Sequence, residues 1–169
     1  MDRPINILLI DDDENLFIIY ENLLKQKLEY PFIFDNCLSS ESLEKILSER
    51  KYDIIILDQR LNNGIKGIDL IPMIKKDNLC AYIIINSAYS SETLAIDAMR
   101  NGANNYVNGN KEDNQSLMLI IKKGIEMIHK VDDIETLSQK MKGFSQELNS
   151  LSEKDLNNTK MKFAKMSAN

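Results

Sequence analysis

Short, continuous apolar runs separated by amphipathic segments constrain the fold of this chain more than any other feature. Residues 5–10 (INILLI), 54–57 (IIIL) and 82–85 (YIII) contain almost no polar interruption, and residues 32–34 and 106–107 are shorter candidates of the same kind. A strand of a parallel sheet is covered on both faces, so its sequence is a continuous apolar run instead of an alternating one. The runs therefore predict five parallel strands.

The segments between the runs have the length and periodicity of helices. Their apolar residues recur every three or four positions. Asp13, Ser39 and Ser40 stand where helix caps are expected, and Asn101-Gly102 is typical of a helix end. Regular alternation of strand and helix predicts an α/β fold with a doubly wound, five-stranded parallel sheet and right-handed crossovers.

The last third of the chain has a different pattern. Beyond about residue 112 there is no strand signal, and an apolar stripe at intervals of three and four comprises Leu137, Met141, Phe144, Leu148 and Leu151. Residues 150–153 (SLSE) match a capping box, so a second helix is expected to begin there, with an apolar side formed by Leu156, Phe163 and Met166. We expect a domain over 4–128 and a helical extension over 129–169.

Composition excludes several function classes. The chain has 21 Lys plus Arg and 26 Asp plus Glu, a net charge of −5 that disfavours direct nucleic-acid binding. No run reaches the roughly 18 apolar residues of a membrane span, and the first run ends in aspartates instead of a cleavage site. Cys37 and Cys80 lack disulfide or metal spacing and are expected to be buried thiols. We expect a cytoplasmic protein without membrane insertion.

Carboxylates and a hydroxyl follow three of the apolar runs. Asp11, Asp12 and Asp13 follow the first run, Asp58 follows 54–57, and Ser87 follows 82–85. In an open parallel sheet, ligands bind beyond the carboxyl ends of the strands. Asp13 is expected to cap the first helix, whereas the other three carboxylates should converge at one edge.

Carboxylates so close together repel each other, so one must bind a proton or a cation must lie between them. Oxygen ligands without His or Cys favour Mg²⁺, which keeps open positions that a phosphoryl group can fill. A carboxylate beside such a metal can attack phosphorus to give an aspartyl phosphate, and Ser87 can donate a hydrogen bond to a phosphoryl oxygen.

Four segments, ILLIDDDEN, YDIIILDQRL, IIINSAYS and GANNYV, occur in an order and at intervals that resemble the receiver domain of two-component response regulators. The resemblance covers about residues 4–128. It implies the flavodoxin-like strand order 2-1-3-4-5, a Mg²⁺ cofactor, and phosphorylation by a sensor histidine kinase or phosphotransfer protein. By position, the resemblance implies that Asp11, Asp12 and Asp58 bind the metal with the backbone carbonyl of Arg60, and that Asp58 is the phosphoacceptor. It also implies a switch hydroxyl on Ser87, a phosphate-binding backbone N–H at Ala88 and a switch aromatic at Tyr106.

Two positions depart from the family pattern. Receivers usually carry Lys-Pro after the fifth strand, where this chain has Gly109 and Asn110, so the cation that pairs with the acceptor is missing. Lys66 and Lys111 are remote substitutes. The loop after Asp58 also lacks the usual proline and is one residue longer than the commonest form. Phosphorylation is therefore expected to be slow, and Gly109→Lys is expected to accelerate it.

Other functions remain open at this stage. A pseudo-receiver that serves as a docking or dimerisation module is favoured by Gly109, whereas the intact acidic residues and Ser87 favour a phosphorylated receiver. A small phosphatase is disfavoured, because Arg60 stands where its second carboxylate would be needed. The apolar stripe favours a homodimer through the C-terminal helices. The alternatives are that the segment after Ser150 covers the stripe, or that the helices are a linker.

Overall fold

The computed structural model describes residues 3–88, 91–109 and 114–166, with side chains up to residue 150. Strands and helices alternate in the order β1 (Ile5–Ile10), α1 (Glu14–Lys27), β2 (Phe32–Cys37), α2 (Ser40–Glu49), β3 (Ile54–Asp58), α3 (Gly67–Asp77), β4 (Tyr82–Ser87), α4 (Glu92–Arg100), β5 (Asn105–Asn108) and α5 (Asn114–Met166). All strand pairs are parallel, in the order β2-β1-β3-β4-β5. The predicted fold and strand order are confirmed.

The three central strands are buried on both faces, which explains their continuous apolar sequences. One face packs with α2, α3 and α4, through core residues that include Leu43, Leu47, Ile71, Ile74 and Ala98. The other packs with α1 and the start of α5, through residues that include Leu24, Leu117, Ile121 and Ile125. Each large aliphatic side chain buried in this way stabilises the fold by about 1.5–3 kcal/mol. The covered strands hold their carboxyl ends at one edge of the sheet.

Three local expectations differ from the structure. The strand predicted at 32–34 extends to Cys37, because β2 is an edge strand whose last residues are polar yet still pair with β1. The strand predicted at 106–107 spans Asn105–Asn108. Cys37 is buried as expected, but Cys80 is exposed, so the prediction for that thiol is wrong.

The predicted helix break at residues 150–153 is also wrong, because α5 is continuous across it. Ser150 Oγ donates a hydrogen bond to the carbonyl oxygen of Glu147 at 2.8 Å. A serine that bonds back to its own helix lies inside it, whereas a cap would accept from an N–H further along the chain. The capping-box pattern is therefore not used.

The chain divides into two compact units, Met1–Ile128 and His129–Asn169. Within the second unit, large apolar side chains between 56% and 67% exposed follow one another at intervals of three and four: Ile134, Leu137, Met141, Phe144 and Leu148. The side chains of the expected apolar residues from Leu151 onward lie outside the described part. Of the helices described, none has the length and hydropathy that a membrane crossing requires.

Candidate functional site

The carboxylates of β1 and β3 meet at the carboxyl edge of the sheet. Ile10 pairs with Leu57, so Asp11 and Asp58, one residue further on, leave neighbouring strands side by side. Asp11 is only 4% exposed, and its Oδ1 accepts a hydrogen bond from the backbone N–H of Asp13 at 2.9 Å. Asp13 itself accepts from the Asn15 N–H at 3.0 Å, which confirms that it caps α1.

The environment of Asp11 opposes its ionisation. Burial is the largest cause and raises the pKa of Asp11 to about 6, although the hydrogen bond from the Asp13 N–H acts in the opposite direction. The negative charges of Asp58, Asp12 and Asp13 raise this pKa further. The site therefore carries more negative charge than its own hydrogen bonds compensate.

Asp58 has a similar but partly compensated environment. Burial raises its pKa most, and the charge of Asp12 adds to this effect. Hydrogen bonds from the backbone N–H groups of Arg60 and Gln59 oppose the shift, and the Arg60 N–H lies 2.9 Å from Oδ2 of Asp58. These N–H groups compensate part of the negative charge of Asp58, and the pKa of this carboxyl nevertheless stays raised.

The donor chemistry of this edge fits a hydrated Mg²⁺ ion. Three mutually repelling carboxylates, Asp11, Asp12 and Asp58, provide hard oxygen donors. A cation between them would offset the negative charge whose burial raises the pKa values of Asp11 and Asp58. Across the described ranges, no three acidic, His or Cys side chains lie close enough to form a complete metal cage. Mg²⁺ is usually bound by one or two carboxylates and keeps several waters, so a complete protein cage is not needed.

The loop after β3 closes against the acceptor strand. Arg60 and Lys66 form an antiparallel bridge, and the Gly67 N–H donates to the Gln59 carbonyl at 3.1 Å. A Cβ atom on Gly67 would lie 2.0 Å from the carbonyl oxygen of Asp58, a distance that no side chain tolerates. Lys66 is exposed, and Lys111 lies outside the described residues.

The three residues assigned to switching by resemblance lie on β4, directly after it, and on β5. Ser87 is buried at the end of β4, and its carbonyl oxygen accepts from the Gly109 N–H at 2.8 Å. Ala88 follows it and is exposed. Tyr106 is half-buried and packs against the core on the α2, α3 and α4 face. The structure thus places these residues near the acidic edge, and their roles stay predictions.

The position beside Gly109 is occupied by a side chain that the sequence analysis did not assign. A Cβ atom on Gly109 would lie 2.4 Å from Oδ1 of Asn86, which is 5% exposed. Nδ2 of Asn86 donates to the hydroxyl of Tyr20 on α1 at 2.8 Å, and Asn86 pairs with Asp58 across β3 and β4. An asparagine within the buried strand β4 was the available signal, because a buried amide needs polar partners.

The chain matches the model of the response regulator receiver domain family over residues 7–122. It therefore belongs to this family and is a receiver domain of two-component signalling. Among curated proteins, it is 29% identical over 124 residues to an NtrX-like response regulator of Rickettsia bellii. It is 30% identical over 128 residues to the transcriptional regulatory protein ZraR of Escherichia coli O157:H7. These matches cover 73% and 76% of this chain but only 25% and 28% of the relatives, so the chain spans about a quarter of their length.

Solved receiver structures have the same fold. The BeF3-activated receiver domain of DrrB aligns with a TM-score of 0.60 at 21% identity, over 73% of this chain and 99% of its own. A response regulator from Burkholderia pseudomallei, solved with a phosphorylated aspartic acid, a calcium ion and citrate, aligns with a TM-score of 0.55 at 22% identity. That alignment covers 72% of this chain and 74% of the other.

Proposed function

We propose that this receiver domain accepts a phosphoryl group on Asp58 from the phosphohistidine of a sensor histidine kinase or phosphotransfer protein. The observation that carries the proposal is the pair of neighbouring carboxylates, buried Asp11 and half-buried Asp58, whose pKa values are both raised at the carboxyl edge of the sheet. Carboxylates whose ionised form is destabilised in this way are typical of functional sites that bind a cation, because they contribute nothing to the stability of the sheet edge by themselves.

In the proposed reaction, a carboxylate oxygen of Asp58 forms a bond to phosphorus while the phosphorus–nitrogen bond of the donor breaks. The imidazole nitrogen leaves with the bonding electron pair. Asp11, Asp12, Asp58 and the backbone carbonyl of Arg60 would hold Mg²⁺, which when bound neutralises charge on the phosphoryl oxygens. The Arg60 N–H keeps the acceptor carboxylate oriented through its 2.9 Å hydrogen bond.

The proposed response to phosphorylation involves the ends of β4 and β5. The hydroxyl of Ser87 and the backbone N–H of Ala88 would bind phosphoryl oxygens, and Tyr106 would rotate into the space that the moving hydroxyl leaves. The half-buried position of Tyr106 against the core supports this role, because the ring has a packed and a more exposed side to exchange. The surface around α4 and β5 would then present a different shape to a partner protein.

Mass spectrometry of the intact chain tests the function directly. We expect one phosphoryl group to be added by an acyl phosphate in the presence of Mg²⁺, and none in Asp58→Asn. Asp53→Asn is the matched control, because Asp53 lies at the opposite end of β3, where it pairs with Arg3. If the wild type gains no phosphoryl group from an acyl phosphate or a phosphohistidine donor, the chain is a pseudo-receiver that docks or dimerises without phosphate.

We further propose that the second unit forms a homodimer through α5. Its exposed apolar stripe repeats at the heptad spacing of a coiled coil, with Ile134, Met141 and Leu148 seven residues apart and Leu137 and Phe144 between them. A helix gains little stability from propensity alone, so burial of this stripe against a second copy would stabilise it. The continuity of α5 at residue 150 removes the predicted return turn that would have covered the stripe within one chain.

Sedimentation of the full chain tests the dimer. We expect a dimer at micromolar concentration for the wild type and a monomer for Phe144→Glu. Gln146→Glu is the control, because it adds the same charge two residues away at an exposed position outside the stripe. A wild-type monomer, or a Phe144→Glu dimer of unchanged affinity, would contradict the proposal.

A further inference from the structure

The cation of the family pattern is replaced in this chain by a specific arrangement of neutral groups. Gly109 stands where the lysine is expected, and Asn86 fills the space that its side chain would enter, since a Cβ on Gly109 would meet Oδ1, Cγ and Nδ2 of Asn86 at 2.4, 3.0 and 3.2 Å. Asn86 is held in place on both sides, because its carbonyl oxygen accepts from the Gln59 N–H at 3.2 Å and its Nδ2 donates to Tyr20.

Tyr20 brings a hydrogen-bond donor from α1 to this place. Its side chain is 5% exposed, and its hydroxyl oxygen is 2.8 Å from Nδ2 of Asn86. Because the oxygen accepts in that contact, the hydroxyl proton is left for a second partner. Asn86, which holds the phenol, lies directly beside Asp58 in the pairing of β3 with β4. Burial raises the pKa of Tyr20, and the negative charges of Asp11 and Asp58 add to this effect.

Asn86 also leaves an acceptor directed at this edge. Its Oδ1 is buried and has no hydrogen-bond partner among the residues that the structure describes. A buried acceptor without a partner destabilises the fold, so a fold retains one where a ligand or water completes it. The orphaned oxygen is an observation independent of the tyrosine, and it indicates that the polar groups here are arranged toward an incomplete site.

We propose that Tyr20 and Asn86 together replace the missing lysine, with the Tyr20 hydroxyl donating to the acceptor oxygen of Asp58 and then to the phosphoryl group. Asn86 is the positioning residue, and it acts by fixing the phenol through the 2.8 Å hydrogen bond. The inference rests on the proposed phosphorylation of Asp58 and identifies the donor that this site uses. A neutral donor stabilises developing negative charge less than an ammonium does, because hydrogen bonds to ionised groups are about twice as strong.

The test compares the same substitution in two backgrounds. The rate of Asp58 phosphorylation by acetyl phosphate with Mg²⁺ is measured for the full chain with and without Tyr20→Phe. The second background is the double variant Asn86→Ala/Gly109→Lys. It restores the lysine of the family pattern and removes the Asn86 side chain that would overlap it. Loss of one donor from such a site costs on the order of 10²–10³-fold in rate, so we expect a slowing of this size in the wild type and less than about threefold in the lysine background.

Two further variants separate the proposed role from a structural one. Tyr52→Phe removes the hydroxyl of another tyrosine that is equally buried, but whose partner is Asp35 at 2.9 Å on a different part of the sheet, so the rate should not change. Asn86→Leu keeps most of the side-chain volume but removes the hydrogen bond to Tyr20, and we expect it to slow phosphorylation several-fold. Thermal unfolding of every variant shows that the rates belong to folded protein.

The outcomes are distinguishable. An unchanged rate in Tyr20→Phe and Asn86→Leu, or equal slowing by Tyr20→Phe in both backgrounds, overturns the inference while the receiver function stands. Phosphorylation of the lysine background alone also overturns it, because the pair would then block the site instead of serving it. If neither background gains a phosphoryl group, the proposed function fails, and the inference fails with it.

Discussion

The two sides of the candidate site are built differently. The side formed by β1 and β3 has three carboxylates whose negative charge exceeds what its hydrogen bonds compensate, as the raised pKa values of Asp11 and Asp58 show. The side formed by β4 and β5 has three neutral residues, Gly109, Asn86 and Tyr20, of which Tyr20 lies on α1. We therefore expect the acidic side to bind a metal by itself, and the neutral side only to orient groups and donate hydrogen bonds. Changes on the two sides should have different consequences.

The largest effect is expected on metal binding by the acidic side. Asp12→Asn should weaken Mg²⁺ binding by roughly 100-fold, because it would remove a full negative charge from the proposed ligand set. Isothermal titration calorimetry with MgCl₂ measures this. Asp13→Asn is the control, since asparagine caps a helix as well as aspartate does and Asp13 is outside the proposed ligand set. Equal affinities in all three proteins would show that the metal does not bind here.

A smaller effect is expected from the lysine alone on the neutral side. Gly109→Lys should destabilise the fold by about 1–3 kcal/mol, because its Cβ would overlap Asn86 in a buried region. This revises the expectation that the single change accelerates phosphorylation. Denaturant unfolding measures the cost, and adding Asn86→Ala should recover most of it. Gly143→Lys, where the new Cβ would have nothing within 4 Å, should leave the first unit unaffected. A stable Gly109→Lys protein would mean that Asn86 moves aside.

The smallest effect concerns the metal-free acidic side. Asp11→Asn should stabilise the metal-free protein by about 1–2 kcal/mol near pH 7, because it removes a buried charge and keeps an acceptor for the Asp13 N–H. The folded chain binds the Asp11 proton more tightly than the unfolded chain, so wild-type stability should fall as the pH rises from 3.8 to about 6.

The pH dependence supplies the control for that change. The advantage of Asp11→Asn should shrink as the pH falls below about 6, since the wild-type carboxyl then becomes neutral too. Asp133→Asn removes an exposed carboxylate on α5 and should be nearly neutral at every pH. An Asp11→Asn variant less stable than the wild type in the absence of Mg²⁺ would contradict the electrostatic account of this edge.

The sequence alone predicted the parts of the molecule whose signals are local and repeated. Continuous apolar runs predicted the strands, and because parallel strands align their ends, they also predicted that Asp11 and Asp58 lie together. The helix break at residue 150 was predicted wrongly, because a four-residue capping pattern is compatible with a serine that bonds back inside a longer helix. The roles of Ser87, Ala88 and Tyr106 stay predictions.

The replacement beside Gly109 could not have been predicted in the same way. The absence of a lysine is visible in one sequence, but its substitute is assembled from α1 and β4, which are 66 residues apart at Tyr20 and Asn86. No spacing rule joins these positions, because their contact depends on how α1 packs across the sheet. In the sequence, only the amide of Asn86 within an apolar strand indicated that a hydrogen-bond partner was needed. It did not indicate which residue that partner would be.

The crowding at Gly109 also restricts how sequences of this kind can change. A lysine introduced first meets Asn86, and an asparagine removed first deprives Tyr20 of its partner, so each single substitution is expected to be inferior to the starting chain. Asn86 on β4 and Gly109, directly after β5, therefore have to change together for a charged version of the site to arise. Under selection for one-step improvements, the neutral version is a local optimum from which the charged one is not reached gradually.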